Sequence, residues 1–216
     1  MMNAKTIAFA VANERATARS ANGGRRTTRD GRANARTRTR ASASDALDDV
    51  RTIARATDRG VRAKANERDA VEVAIDRAMR ERGDGDGAAI ETVAASNGRW
   101  RLTYTTEKET LWLLATSEDV EAYQTIDLGA KTLSNEVIFG ADAKGNRVVF
   151  RVDASVEVAS KTRVDFKFTS AALTLANGWR IPIPPFGAGW FDNVYVADGV
   201  RVSRDSRGDT LVCERA

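Results

Sequence analysis

The stretch VVFRVDASVEV, from Val148 to Val158, restricts the possible folds of this chain more than any other. Val148, Phe150, Val152, Ala154, Val156 and Val158 alternate with Arg151, Asp153, Ser155 and Glu157. Strict alternation sorts side chains onto two faces only in a β-strand. The same period runs through GRWRLTYTT, where Trp100, Leu102 and Tyr104 oppose Arg99, Arg101 and Thr103. It returns where Val164, Phe166 and Phe168 oppose Arg163, Asp165 and Lys167. Leu173 and Leu175 then take the opposite parity, which requires a turn or bulge near Ser170. Weaker strands are expected at 121–128, 131–139, 179–183, 193–197, 200–204 and 210–215. Gly140, Lys144-Gly145-Asn146, Asn177-Gly178, Asp198-Gly199 and Arg207-Gly208 mark turns between several of them. Roughly eight to ten short strands in tight succession form an antiparallel meander, and closure into a barrel buries their apolar face.

Ahead of the strands the period is helical. Leu47, Val50, Ile53 and Ala54 recur at intervals of three to four, and Gly60 fits a stop. Asn66 is placed to N-cap a second helix, with Asp69 at its N3 position. Val71, Ala74, Ile75, Ala78 and Met79 form that helix's apolar stripe, a face to pack on a core, and Gly83 ends it. The GDGDG run at 83–87 reads as a hinge, because the later acids of a calcium loop do not follow at the required spacing.

Charge is distributed unevenly. Residues 1–43 carry ten basic side chains against Glu14 and Asp30, a net +8. The whole chain is +4, so residues 44–216 are −4 and the basic pI belongs to the leader. An Arg-, Ala- and Ser-rich, acid-poor leader has the composition of a mitochondrial or chloroplast transit peptide, the alternatives being a basic nucleic-acid-binding arm or plain disorder. The organisation expected is therefore a disordered transit peptide over 1–43, helices over 44–82, a linker and short helix over 83–97, and a barrel over 98–216.

Several chemistries lack their residues. The chain has no histidine and a single cysteine, Cys213, so it holds no histidine-dependent triad, no cysteine zinc cluster and no internal disulfide. No phosphate-binding glycine loop is present, and no cofactor or metal is expected. Cys213, in a terminal strand, reads as a buried structural thiol. Most of the charges in the C-terminal run, Arg201 through Asp209, are best explained by cross-strand pairing and turn fixing on a solvated face. Phe150, Phe166 and Phe168 lie on the apolar phase among charges of alternating sign, which argues against nucleic acid as a partner. An apolar-lined barrel is either filled by side chains or encloses one small apolar ligand, and periodicity does not distinguish the two.

The sequence also resembles a known family. Gly98-Arg99-Trp100 with Leu102-Thr103-Tyr104-Thr105-Thr106, YQTIDL (123–128) with LSNEVIF (133–139), Thr57-Asp58-Arg59-Gly60, and the ending WFDNVYVADGVRVSRDSRGDTLVCER are similar, in order and spacing, to the plastid lipid-associated proteins, or fibrillins. The resemblance spans about residues 45–215 and implies a lipocalin-like barrel behind short helices. It implies a non-enzymatic plastid protein, at plastoglobules, at the thylakoid surface or in the stroma, that binds or organises carotenoids, quinones or fatty acids. Its partners would be lipophilic small molecules and a lipid monolayer or membrane surface met peripherally, with no protein partner specified. On that reading Trp100, Tyr104, Phe150, Phe166 and Phe168 are candidates to line a pocket or simply to fill the barrel. Trp100 would close one barrel end beneath Arg215, with Arg204 the alternative. Trp190 and Phe191, beside the Pro-rich loop, would touch lipid. A filled barrel coating lipid surfaces, or a small lipid-modifying enzyme, are the other readings.

Overall fold

The computed structural model describes residues 43–83 and 92–216. The expected transit peptide and most of the GDGDG hinge lie outside the described residues. Two helices, α1 (Ala43–Ala56) and α2 (Ala65–Gly83), precede a short α3 (Thr92–Ala95). The strands are β1 (Gly98–Thr105), β2 (Val120–Asp127), β3 (Thr132–Phe139), β4 (Val149–Val158), β5 (Arg163–Thr174), β6 (Arg180–Ile183), β7 (Ala188–Ala197), β8 (Val200–Asp205) and β9 (Thr210–Arg215). A further helix, α4 (Lys108–Leu114), separates β1 from β2.

All nine strands belong to one antiparallel sheet in the order β4-β3-β2-β1-β9-β8-β7-β5-β6, and a β4–β5 pairing closes it into a ring. β6 pairs only with β5, which leaves eight strands in the wall. β6 and β7 lie end to end on one edge of β5: Ile183 faces Ala171, and Ala188 faces Lys167. Pro184–Gly187 interrupts them, opposite a bulge where β4 and β5 shift register between Asp153 and Ala154. That bulge omits Thr169 and explains the change of parity near Ser170. Pro182 lies on the free edge of β6, where its missing N–H removes a donor that could pair with another chain.

The helices follow their stripes. Leu47, Val50 and Ala54 of α1 and Val71, Ala74, Ile75 and Ala78 of α2 are buried together. The N-cap of α2 is Lys64, not Asn66: the backbone N–H of Lys64 donates to Glu67 Oε2 at 2.7 Å, the reach-back half of a capping box. The helix pair sits on the outside of the barrel, over Tyr104, Tyr195, Val200, Val202 and Val212. Arg51 of α1 bonds Glu214 at 2.8 Å, while Arg204 of β8 reaches Glu72 at 2.9 Å and Asp76 at 3.1 Å on α2. Arg204 therefore fastens a helix and does not cover Trp100.

This placement overturns the expected parity of the C-terminal strands. A sheet covered on its outer side buries both faces, so an apolar series no longer marks the interior. Val200 and Val202 face the helices, whereas Arg201 and Ser203 turn inward, and all four are buried. Arg201 is fully buried and therefore stands apart from the expected solvated ladder. Tyr104 is displaced for a related reason. The β1–β9 register shifts between Leu102 and Tyr104, so Leu102 pairs with Cys213 but Tyr104 pairs with Val212 beneath the helices. A cross-strand ion ladder does exist on β1–β4, where Glu136 meets Arg99 at 3.2 Å and Arg151 at 3.1 Å.

Candidate ligand cavity

One end of the barrel is shut. Trp100 opens β1 with its ring inward, 1% exposed, and its Nε1–H donates to the Ser96 carbonyl at 2.7 Å. The Arg215 guanidinium lies 4.0 Å from the ring centroid and donates to the carbonyls of Asn97 and Ala95. The structure thus brings Trp100 and Arg215 together and joins the last strand to the chain entering the first.

Above this plug lies a layer whose polarity the alternation did not announce. The Arg201 carbon Cζ is 5.4 Å from the Trp100 ring and 5.7 Å from the Phe191 ring. Its Nη2–H donates to Gln124 Oε1 and lies 3.7 Å from Cys213 Sγ. Gln124 Nε2 in turn donates to Asn135 Oδ1 at 2.9 Å. Arg201 has no carboxylate within ion-pair distance among the described residues, and its Nε and Nη1 have no hydrogen-bond partner there. Cys213 is buried in this layer, and burial raises its thiol pKa against the lowering effect of Arg201. A neutral thiol is a poor nucleophile.

Over the polar layer opens a cavity of about 290 Å³, walled by Leu102, Leu133, Val137, Phe150, Phe166 and Phe168. The volume is near the lower end of the range for small-molecule sites, about 300–1,000 Å³. The Phe166 and Phe168 rings meet tilted, with centroids 5.2 Å apart, and Phe166 meets Phe191 at 6.4 Å. Of the five aromatic pocket candidates, Phe150, Phe166 and Phe168 reach the cavity wall. Trp100 lies in the plug below, and Tyr104 lies outside the barrel. Phe191 faces the cavity and is buried, so it is not a surface residue. Trp190 is half-buried under Arg163, whose guanidinium is 3.8 Å from the ring. Among the described residues the exposed aromatics are instead Trp179, 73% exposed in the β5–β6 turn, Phe186, 55% exposed in the β6–β7 interruption, and Trp112 of α4, 38% exposed. Phe186 also borders the cavity.

The mouth is charged. Leu113 of α4 covers part of it, and Arg207 of the β8–β9 turn stands among Glu109 (3.0 Å), Asp205 (3.2 Å), Asp209 (3.7 Å) and Glu107 (3.8 Å). Asp205 fixes the turn by accepting the backbone N–H groups of Arg207 and Asp209. Burial raises the pKa of Glu107 to about 7, opposed by a 2.7 Å hydrogen bond from Thr110 and by Arg207, and aided by Asp205 and Asp209. A carboxyl whose folded pKa exceeds its unfolded one holds its proton longer in the native state. Stability should therefore fall as pH rises from about 4.5 to about 7 and level off above. Its side chain keeps 19% exposure, so the loss is on the order of 1–2 kcal/mol. Glu107→Gln should remove that slope and make the protein more stable than wild type at pH 8, as read from urea midpoints across the range. A slope that persists in the variant would assign it to another group.

Taken together, a closed antiparallel barrel with a plugged end, an apolar cavity and flanking helices has the layout of the lipocalin-like barrels. The PAP_fibrillin family model matches residues 46–214, and the chain belongs to that family. A curated relative, the probable plastid-lipid-associated protein 11, chloroplastic, of Arabidopsis thaliana, is 40% identical over 136 residues. That match spans 60% of this chain and 60% of the relative's length. A solved structure of a redesigned β-barrel aligns over 59% of this chain and 96% of its own, at 10% identity and a TM-score of 0.27, a likeness that carries no argument.

Only some of the site was foreseeable. The Phe150–Phe166–Phe168 wall follows from alternation. Arg201 and the Arg207 cluster were visible as charges, but no local signal placed one in the interior and the other around the mouth. Glu107 and α4 were missed, although Leu111, Leu114 and Ala115 show a short helical spacing.

Proposed function

We propose that this chain holds one small lipophilic molecule inside its barrel and works at plastid lipid surfaces without catalysing a reaction. The apolar cavity carries this reading, because a filled barrel would leave no such space. The cargo belongs to the class named by the resemblance, carotenoids, quinones or fatty acids, and a space of this size favours a slim or single-chain molecule over a bulky one. Phe150, Phe166 and Phe168 would contact it. The chloroplastic relative and the basic leader support a plastid location, at plastoglobules, at the thylakoid surface or in the stroma.

A second reading has its own observation. Phe186, which borders the cavity, and Trp179 are exposed at the two ends of β6, in the manner of aromatics that settle at a lipid interface. On that reading the barrel coats lipid monolayers. These two residues replace Trp190 and Phe191 as the proposed membrane contact.

Plastid lipid extract passed over the purified protein, followed by mass spectrometry, separates the two. One lipid class retained near one per chain, with a rise in melting temperature on reloading, is expected for a carrier. No retained lipid, with binding to liposomes intact, would overturn the carrier reading in favour of the coat.

A further inference from the structure

We propose that the cavity takes a single-chain amphiphile head first, its carboxylate seated on the Arg201 guanidinium. The inference rests on the cavity reading above and specifies the chemistry of the cargo. Arg201 is fully buried, yet no carboxylate pairs with it among the described residues, and two of its nitrogens lack partners there. A buried, uncompensated guanidinium is costly unless an anion joins it. Arginine's planar fork matches a carboxylate, and a monoanion is desolvated more readily than a doubly charged phosphate.

The guanidinium lies directly beneath the cavity floor. Gln124, Phe191 and Cys213 line the cavity and also contact Arg201. The Gln124 carbonyl occupies one donor as a neutral stand-in for an anion. Its amide already bonds Asn135, so Gln124 has a second partner when a carboxylate displaces it.

The field along the barrel sets the orientation. The rim places Glu107, Glu109, Asp205 and Asp209 around Arg207, while Arg201 lies behind the lining residues Gln124, Phe191 and Cys213, with no carboxylate paired to it among the described residues. An acidic head is repelled at the rim and attracted at the floor, and the chain then lies along Phe150, Phe166 and Phe168. Neutral alcohols and esters gain only the apolar wall.

The test uses the full chain with hexadecanoic acid, hexadecanol and methyl hexadecanoate, titrated below their aggregation concentrations against wild type and Arg201→Met. Wild type should bind the acid at least tenfold more tightly than the ester or the alcohol. Arg201→Met, which removes a buried charge and keeps an apolar chain, should fold and bind all three alike. Should the variant not fold, the acid labelled with carbon-13 at its carboxyl provides the check on wild type. Its bound signal should titrate at a lower pH than the same acid in detergent micelles. Equal affinity of wild type for acid and ester would overturn the headgroup assignment and leave the cavity reading standing. Binding of none of the three would overturn both.

Discussion

Gly60→Ala should destabilise the protein by about 3 kcal/mol or more, because three constraints meet at this position. Gly60 has φ +101°, and it follows Asp58 at +50° and Arg59 at +58°, three left-handed residues in succession. Such a run reverses the chain within a few residues, and an L side chain at Gly60 is strained whatever space surrounds it. There is no space: an added Cβ would stand 2.3 Å from the Thr105 carbonyl oxygen. That carbonyl cannot retreat easily, since the Thr105 N–H donates to the Arg59 carbonyl at 3.1 Å and β1 is held between β2 and β9. Arg59 also donates from its guanidinium to the Val120 carbonyl, tying the same turn to the start of β2. The comparison is Gly145→Ala. Gly145 has φ +81° but nothing within 4 Å of the added carbon, so only conformational strain of about 1 kcal/mol applies. Urea unfolding of the two variants side by side measures the difference. Equal losses would mean that the helix pair is not rigidly docked through this turn.

The barrel plug gives the second large effect. Trp100→Ala should cost about 3–5 kcal/mol, because the ring is 1% exposed and its removal leaves a cavity at the base of the core. It also leaves the Ser96 carbonyl without its indole donor and exposes the adjoining Arg201 layer to solvent. Arg215→Ala should cost less, about 1–2 kcal/mol, since the guanidinium stacks on the ring from the solvent side and bonds two carbonyls there. The two losses should be less than additive, because each single change removes the same stack. An unchanged melting temperature in Arg215→Ala would end the idea that the last strand locks the barrel through this residue.

Strand identity was legible because each edge of alternation is local. β4 needs only its own ten residues to declare itself, and the bulge beside Ser170 appears as a broken parity within β5. The two helices were legible through their stripes and the Gly60 stop. The N-cap of α2 was misplaced because Asn66 has the right chemistry, yet the Glu67 side chain reaches Lys64 first. Helix α4 was missed because seven residues between strands present too little periodicity to stand out. Trp190 and Phe191 were read as a pair, but neighbouring strand residues point to opposite faces, so one meets Arg163 outside and the other enters the cavity.

By itself the sequence determined that this is an antiparallel β-barrel led by two amphipathic helices, with a wall rich in phenylalanine and without the residues of histidine or cysteine-cluster chemistry. Period and turn chemistry are properties of adjacent residues, and they survive without knowledge of what lies across the fold. Only the tertiary structure decided which side is the inside in the strands that the helices cover. Where α1 and α2 cover β8 and β9, Val200, Val202 and Val212 face the helices and the interior receives Arg201. Alternation reports that two faces differ; what each face meets depends on elements more than a hundred residues away in the chain.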